Sequence, residues 1–120
     1  MKKLLPALLI FCAVFSAFQA NAGAKEDFET YVALTAKNTK GGKVIGDYDN
    51  RIIYISWPLK VQSSQVDRSK TSEIKQGMLK MIKRFPEDVK ILKRLNVILV
   101  YCYITIDRQV LSIALSPNEL

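Results

Sequence analysis

The sequence predicts an α+β domain, a four-stranded antiparallel sheet with helices packed on one face. Two observations carry that expectation. β-prone runs rich in Val, Ile and Tyr occur in two pairs, within 43–57 and 97–115, and a short polar turn joins the members of each pair. Segments with helical periodicity stand before the first pair and between the two. The order is therefore helix, hairpin, helix pair, hairpin.

Ala24 to Asn38 places Phe28, Tyr31, Val32 and Thr35 at helical spacing, with Glu26, Asp27 and Glu29 in the first turn, where acids complement the positive end of the helix dipole. Asn38 to Gly42 ends that helix, because glycine takes the positive φ angles other residues avoid. Lys43–Tyr48 and Arg51–Trp57 then read as strands joined across Asp49-Asn50, whose short polar side chains tolerate tight turns. Pro58 cannot donate to a ladder and marks a strand end or an edge. Leu59 to Val66 is an ordinary surface connection.

From Ser69 to Phe85, Ile74, Met78, Met81, Ile82 and Phe85 fall on one helical stripe, and Gln76, Lys80, Lys83 and Arg84 fall on the opposite side. Pro86 restarts the helix, which runs to Leu95 with Glu87 and Asp88 at its start, Lys90, Lys93 and Arg94 towards its end, and Asn96 as its cap. Val97 to Ile106 is almost unbroken in β-branched, aromatic and aliphatic character and predicts a central strand, with Cys102 as a buried, inert thiol. In Val110 to Leu115, Leu111, Ile113 and Leu115 alternate with Ser112 and Ala114, as on a strand with one buried face.

The N-terminus carries an address. Lys2 and Lys3 precede an apolar run from Leu4 to Phe18, and Ala20-Asn21-Ala22 supplies the small residues a signal peptidase reads. Residues 1–22 are expected to be a cleavable secretory signal peptide, leaving 23–120 as a single small domain in the periplasm or outside the cell. The apolar run is shorter than the roughly 18 to 20 residues a membrane-crossing helix needs, so no transmembrane anchor is expected in the mature chain. Cys12 follows bulky Ile10-Phe11 in the middle of the run, which argues against lipid attachment there. With Cys12 removed, Cys102 has no partner for an intramolecular disulfide, and stability must come from packing.

Histidine is absent from the chain, which removes the usual general base, the usual zinc ligand and the partner that activates a thiol. No catalytic residue, metal site or cofactor is expected. Asp47, Asp49 and Asn50 lack the further ligands of a calcium loop and read as turn chemistry. Trp57 and the tyrosines at 48, 54, 101 and 103 read as sheet packing more readily than as a stacking platform for a ligand.

Charge is the remaining signal. The chain holds 18 Lys and Arg against 11 Asp and Glu, and the excess concentrates in 67–94. Lys80, Lys83, Arg84, Lys90, Lys93 and Arg94 are the candidate binding residues, forming a basic helical face suited to acidic protein patches, phosphates or acidic lipids. The expectation is an exported, non-enzymatic binding or accessory protein with a protein partner in the bacterial envelope, such as an inhibitor, an immunity protein or an assembly factor. The alternative is attachment to anionic lipid or lipopolysaccharide through the same face. An enzyme using carboxylate or lysine chemistry ranks below both, and so does nucleic-acid binding, for which no base-reading motif is present.

Overall fold

The computed structural model describes residues 23–120; the expected signal peptide, residues 1–22 with Cys12, lies outside the described residues. Three helices, α1 (Ala24–Asn38), α2 (Thr71–Ile82) and α3 (Pro86–Leu95), accompany four strands, β1 (Lys43–Asp47), β2 (Ile52–Pro58), β3 (Ile98–Ile104) and β4 (Val110–Leu115). The architecture is the expected α+β fold, with the helices on one face of a sheet ordered β1-β2-β3-β4.

The sheet is mixed, not wholly antiparallel. β1/β2 and β3/β4 are antiparallel hairpins, but the central β2/β3 pair is parallel, with Ile52 opposite Ile98 and Pro58 opposite Ile104. The long connection explains this. Leaving β2 at Pro58, the chain passes through two short 3-10 turns, α2 and α3, and re-enters at the opposite end of the sheet, which is the crossover a parallel neighbour requires. Local patterns predict each hairpin and say nothing about how the two are docked. Pro58, as the last residue of an interior strand, takes the strand-end role.

Alternation places Ile53 and Ile55, then Leu99, Tyr101 and Tyr103, then Leu111, Ile113 and Leu115 on the helix-covered face, all buried. The helices meet them with Phe28 and Tyr31 from α1, Ile74, Met78, Leu79 and Ile82 from α2, and Ile91, Leu92 and Leu95 from α3. Leu79 occupies the core, whereas Met81 and Phe85 only flank it. Each fully buried aliphatic side chain contributes about 1.5–3 kcal/mol, so this cluster is the main source of stability. Trp57 stacks nearly parallel to Tyr101 and Tyr103, at centroid distances of 6.3 and 6.2 Å, and Phe28 meets Tyr48 edge-on. These aromatics pack the sheet. Tyr54 differs, lying half-buried on the opposite face.

Gly46 explains how α1 reaches the sheet. A Cβ built there would lie 2.7 Å from Val32 Cγ2 and 2.9 Å from Phe28 Cε1, so the helix seats directly on bare backbone. Gly46→Ala is expected to lift α1 and destabilise the domain by on the order of 1 kcal/mol, read as a lower urea midpoint with an unchanged m-value. Asn96 caps α3 in the left-handed conformation at φ 56°, which asparagine tolerates better than most residues.

Cys102 departs from its expected place in the core. It points to the uncovered side of β3 and is half-buried, because β3 alternates and the covered positions are its neighbours Tyr101 and Tyr103. No helix among the described residues is long and apolar enough to cross a membrane.

Candidate functional site

All six basic residues singled out from the sequence are exposed. The covered sides of α2 and α3 hold Ile74, Met78 and Ile82, and Ile91, Leu92 and Leu95, so the cations project away from the sheet. Lys80, Lys83 and Arg84 stand at i, i+3 and i+4 around the end of α2, a spacing that brings like charges together at a cost of a few tenths of a kcal/mol per pair. Their position at the negative end of the helix offsets part of that cost.

The six differ in their partners. Arg94 Nη2 donates to Asp27 Oδ2 at 2.7 Å, joining α3 to α1, and Lys90 Nζ lies 3.9 Å from Glu87 Oε1. Lys80, Lys83, Arg84 and Lys93 have no acid within ion-pair distance among the described residues. The basic surface therefore consists of four unpaired cations beside two that are partly neutralised. Arg94 also has a structural task that its exposed position conceals, because its partner Asp27 is 1 % exposed.

A second polar feature lies beneath this surface. The Tyr31 hydroxyl donates to Asp88 Oδ1 at 3.1 Å in the buried layer between α1 and α3. Burial pushes the Asp88 carboxyl up to about 6; the Tyr31 hydrogen bond opposes the shift, and neighbouring Glu87 adds to it. Burial also raises Tyr31 and Tyr101 well above the usual phenol range, and the negative charge on Asp88 pushes both further. The Tyr101 hydroxyl is enclosed without a hydrogen-bond partner among the described residues. The sequence carried a sign of these buried acids, since Asp27 shares a helical stripe with Tyr31 and Thr35, and Asp88 shares one with Ile91, Leu92 and Leu95. Both acids complement a helix dipole from the first turn, but the stripe they share is what buries them.

The remaining polar clusters are structural. Asp47 accepts from the backbone and side-chain nitrogens of Asn50, at 3.2 and 2.8 Å, and so closes the first hairpin turn. Asp107 accepts from the Ser63 backbone and hydroxyl and from the Thr105 hydroxyl, tying the β3–β4 turn to the segment after β2. Those bonds, led by the one from the Ser63 side chain, hold Asp107 down to about 2. An open cleft of about 350 Å³ lies beside this turn, with Pro58, Leu59, Ile104 and Ile106 as apolar lining and Lys60 and Arg108 among its polar residues. No family model, curated protein or solved structure matches the chain.

Proposed function

We propose that the chain is an exported, non-enzymatic binding protein whose basic helical surface engages an acidic patch on a protein partner in the bacterial envelope. One observation carries the reading. Lys80, Lys83 and Arg84 at the end of α2 and Lys93 on α3 have no acid within ion-pair distance among the described residues, and the first three repel one another at helical spacing. An acidic partner relieves that repulsion, and a field of one sign steers its approach. Inhibitor, immunity and assembly roles all fit such a surface, and the export signal read from 1–22 supports an encounter outside the cytoplasm.

Lysine-directed crosslinking of residues 23–120 in an envelope extract, read by mass spectrometry, tests this. A single protein joined through Lys80, Lys83 or Lys93 is the expected product, and in a pull-down without crosslinker the variant carrying Lys83→Glu, Arg84→Glu and Lys93→Glu is expected to recover at least about tenfold less of it. Equal recovery with the charge-reversed variant would refute the reading. The lipid alternative makes a different prediction: flotation with anionic vesicles that disappears as salt rises, because screening weakens attraction between exposed charges.

A further inference from the structure

β3 is apolar on both faces. Leu99, Tyr101 and Tyr103 face the helices, while Ile98, Val100, Cys102 and Ile104 face the other way, half-buried on the side of the sheet opposite the three helices. A strand with one solvated face alternates apolar with polar residues; a strand apolar throughout belongs where both faces are covered. The pairing register extends the apolar surface over the sheet, with Ile45, Tyr54, Val100 and Ala114 in one row across all four strands. Ile45 is 60 % exposed and Val110 50 %.

We propose that this open face packs against the same face of a second copy of the chain. The charges choose that occupant. Lys43 and Asp47 are the only charged residues the four strands present on this side, and they lie two positions either side of Ile45 on β1. A two-fold axis along the Ile45–Tyr54–Val100–Ala114 row stacks β1 on β1 with reversed direction, so Lys43 of each copy meets Asp47 of the other. The face is thus complementary to itself, as a two-fold interface requires. A lipid surface fits less well, because the cations of α2 and α3 lie on the far side of the sheet, whereas interfacial binding needs apolar and basic groups together.

Four strands at a spacing of about 4.8 Å and five to six residues at about 3.3 Å give a footprint of roughly 300–400 Å² per copy. That is well below the ~800 Å² per partner of a standard interface, so a reversible dimer of roughly micromolar or weaker affinity is expected. The inference is independent of the basic surface, but the two combine. Sheet-to-sheet packing leaves both sets of helices outward and makes the dimer bivalent.

Sedimentation velocity of residues 23–120, which contain the whole described core, tests the proposal under reducing conditions from about 1 to about 300 µM. A concentration-dependent dimer is expected, as is slower labelling of Cys102 by a thiol reagent as the dimer fills. Ile45→Lys and Val100→Lys should each weaken association at least about tenfold with native circular dichroism retained, since both change only the uncovered face. Lys43→Asp should weaken it too, because an acid then faces Asp47 of the other copy across the axis. Overturning results are a monomer throughout the range, a dimer indifferent to Ile45→Lys and Val100→Lys, or a dimer held only by a Cys102 disulfide, because the proposed axis sets Cys102 against Ile98 of the other copy. Association with vesicles or another protein by a chain that stays monomeric would equally overturn it.

Discussion

Arg94→Ala should destabilise the domain by about 2–4 kcal/mol, far more than its exposed position suggests. The guanidinium is half in solvent, at 54 % side-chain exposure, but the carboxylate it meets at 2.7 Å is buried. Removing the arginine strands a charge in the layer between α1 and α3. An uncompensated buried carboxylate costs several kcal/mol, and the lower part of that range applies here because solvent reaches one side of the pair. Lys93→Ala, one residue earlier and without an ion-pair partner among the described residues, should change stability by no more than about 0.5 kcal/mol. Urea unfolding followed by the fluorescence of Trp57, the only tryptophan, compares the two. Asp27→Asn combined with Arg94→Ala should recover much of the loss, because the neutral amide leaves no stranded charge. A loss with Arg94→Ala no larger than with Lys93→Ala would mean that the pair is as weak as an ordinary surface salt bridge.

This contrast limits what the basic surface can contribute to binding. A charge-reversal experiment that includes Arg94 mixes loss of a partner with loss of the fold, whereas Lys83, Arg84 and Lys93 carry no such burden. It also marks where sequence reading stopped. α1 and α3 were legible to their terminal residues because an apolar stripe, an acidic first turn, Pro86 and Asn96 all agreed. The first hairpin was legible because Asp49-Asn50 separates two β-prone runs. What stayed hidden depends on contacts between residues distant in the chain. The parallel docking of β2 on β3 is decided by the path of 59–97, and the tie between Asp27 and Arg94 by how α1 lies against α3. Cys102 was misplaced for a related reason: an unbroken apolar run does not say which of its two faces is covered. The six basic residues were legible as a charged helical surface, but their division into paired and unpaired cations was not.

The domain should gain stability as the pH falls from 7.5 to 5. Asp88 is raised to about 6 in the folded chain against 3.8 for a free aspartate, chiefly because it is buried. A group whose folded pKa lies above its unfolded value favours folding in its protonated form. Its contribution is fully present below the unfolded pKa and is lost as pH rises through 6. Across the interval from 7.5 to 5 this amounts to about 1.4 kcal/mol, and to about 3 kcal/mol over the whole titration. Opposing groups do not mask the trend. Asp107 and Glu119 are both held down to about 2, so what they contribute is lost only as pH falls below the ordinary carboxylate range, outside the interval. Chemical unfolding at the two pH values should therefore give a higher midpoint at pH 5. Asp88→Asn should abolish the difference and match or exceed the parent at pH 7.5, because the amide oxygen still accepts from Tyr31 without a charge to bury. Tyr31→Phe should act in the opposite direction, removing the donor that faces the ionised carboxylate and steepening the dependence. A parent equally stable at both pH values would show that the carboxylate is solvated well enough to stay ionised through the interval, and a difference that survives Asp88→Asn would assign the pH response to another group.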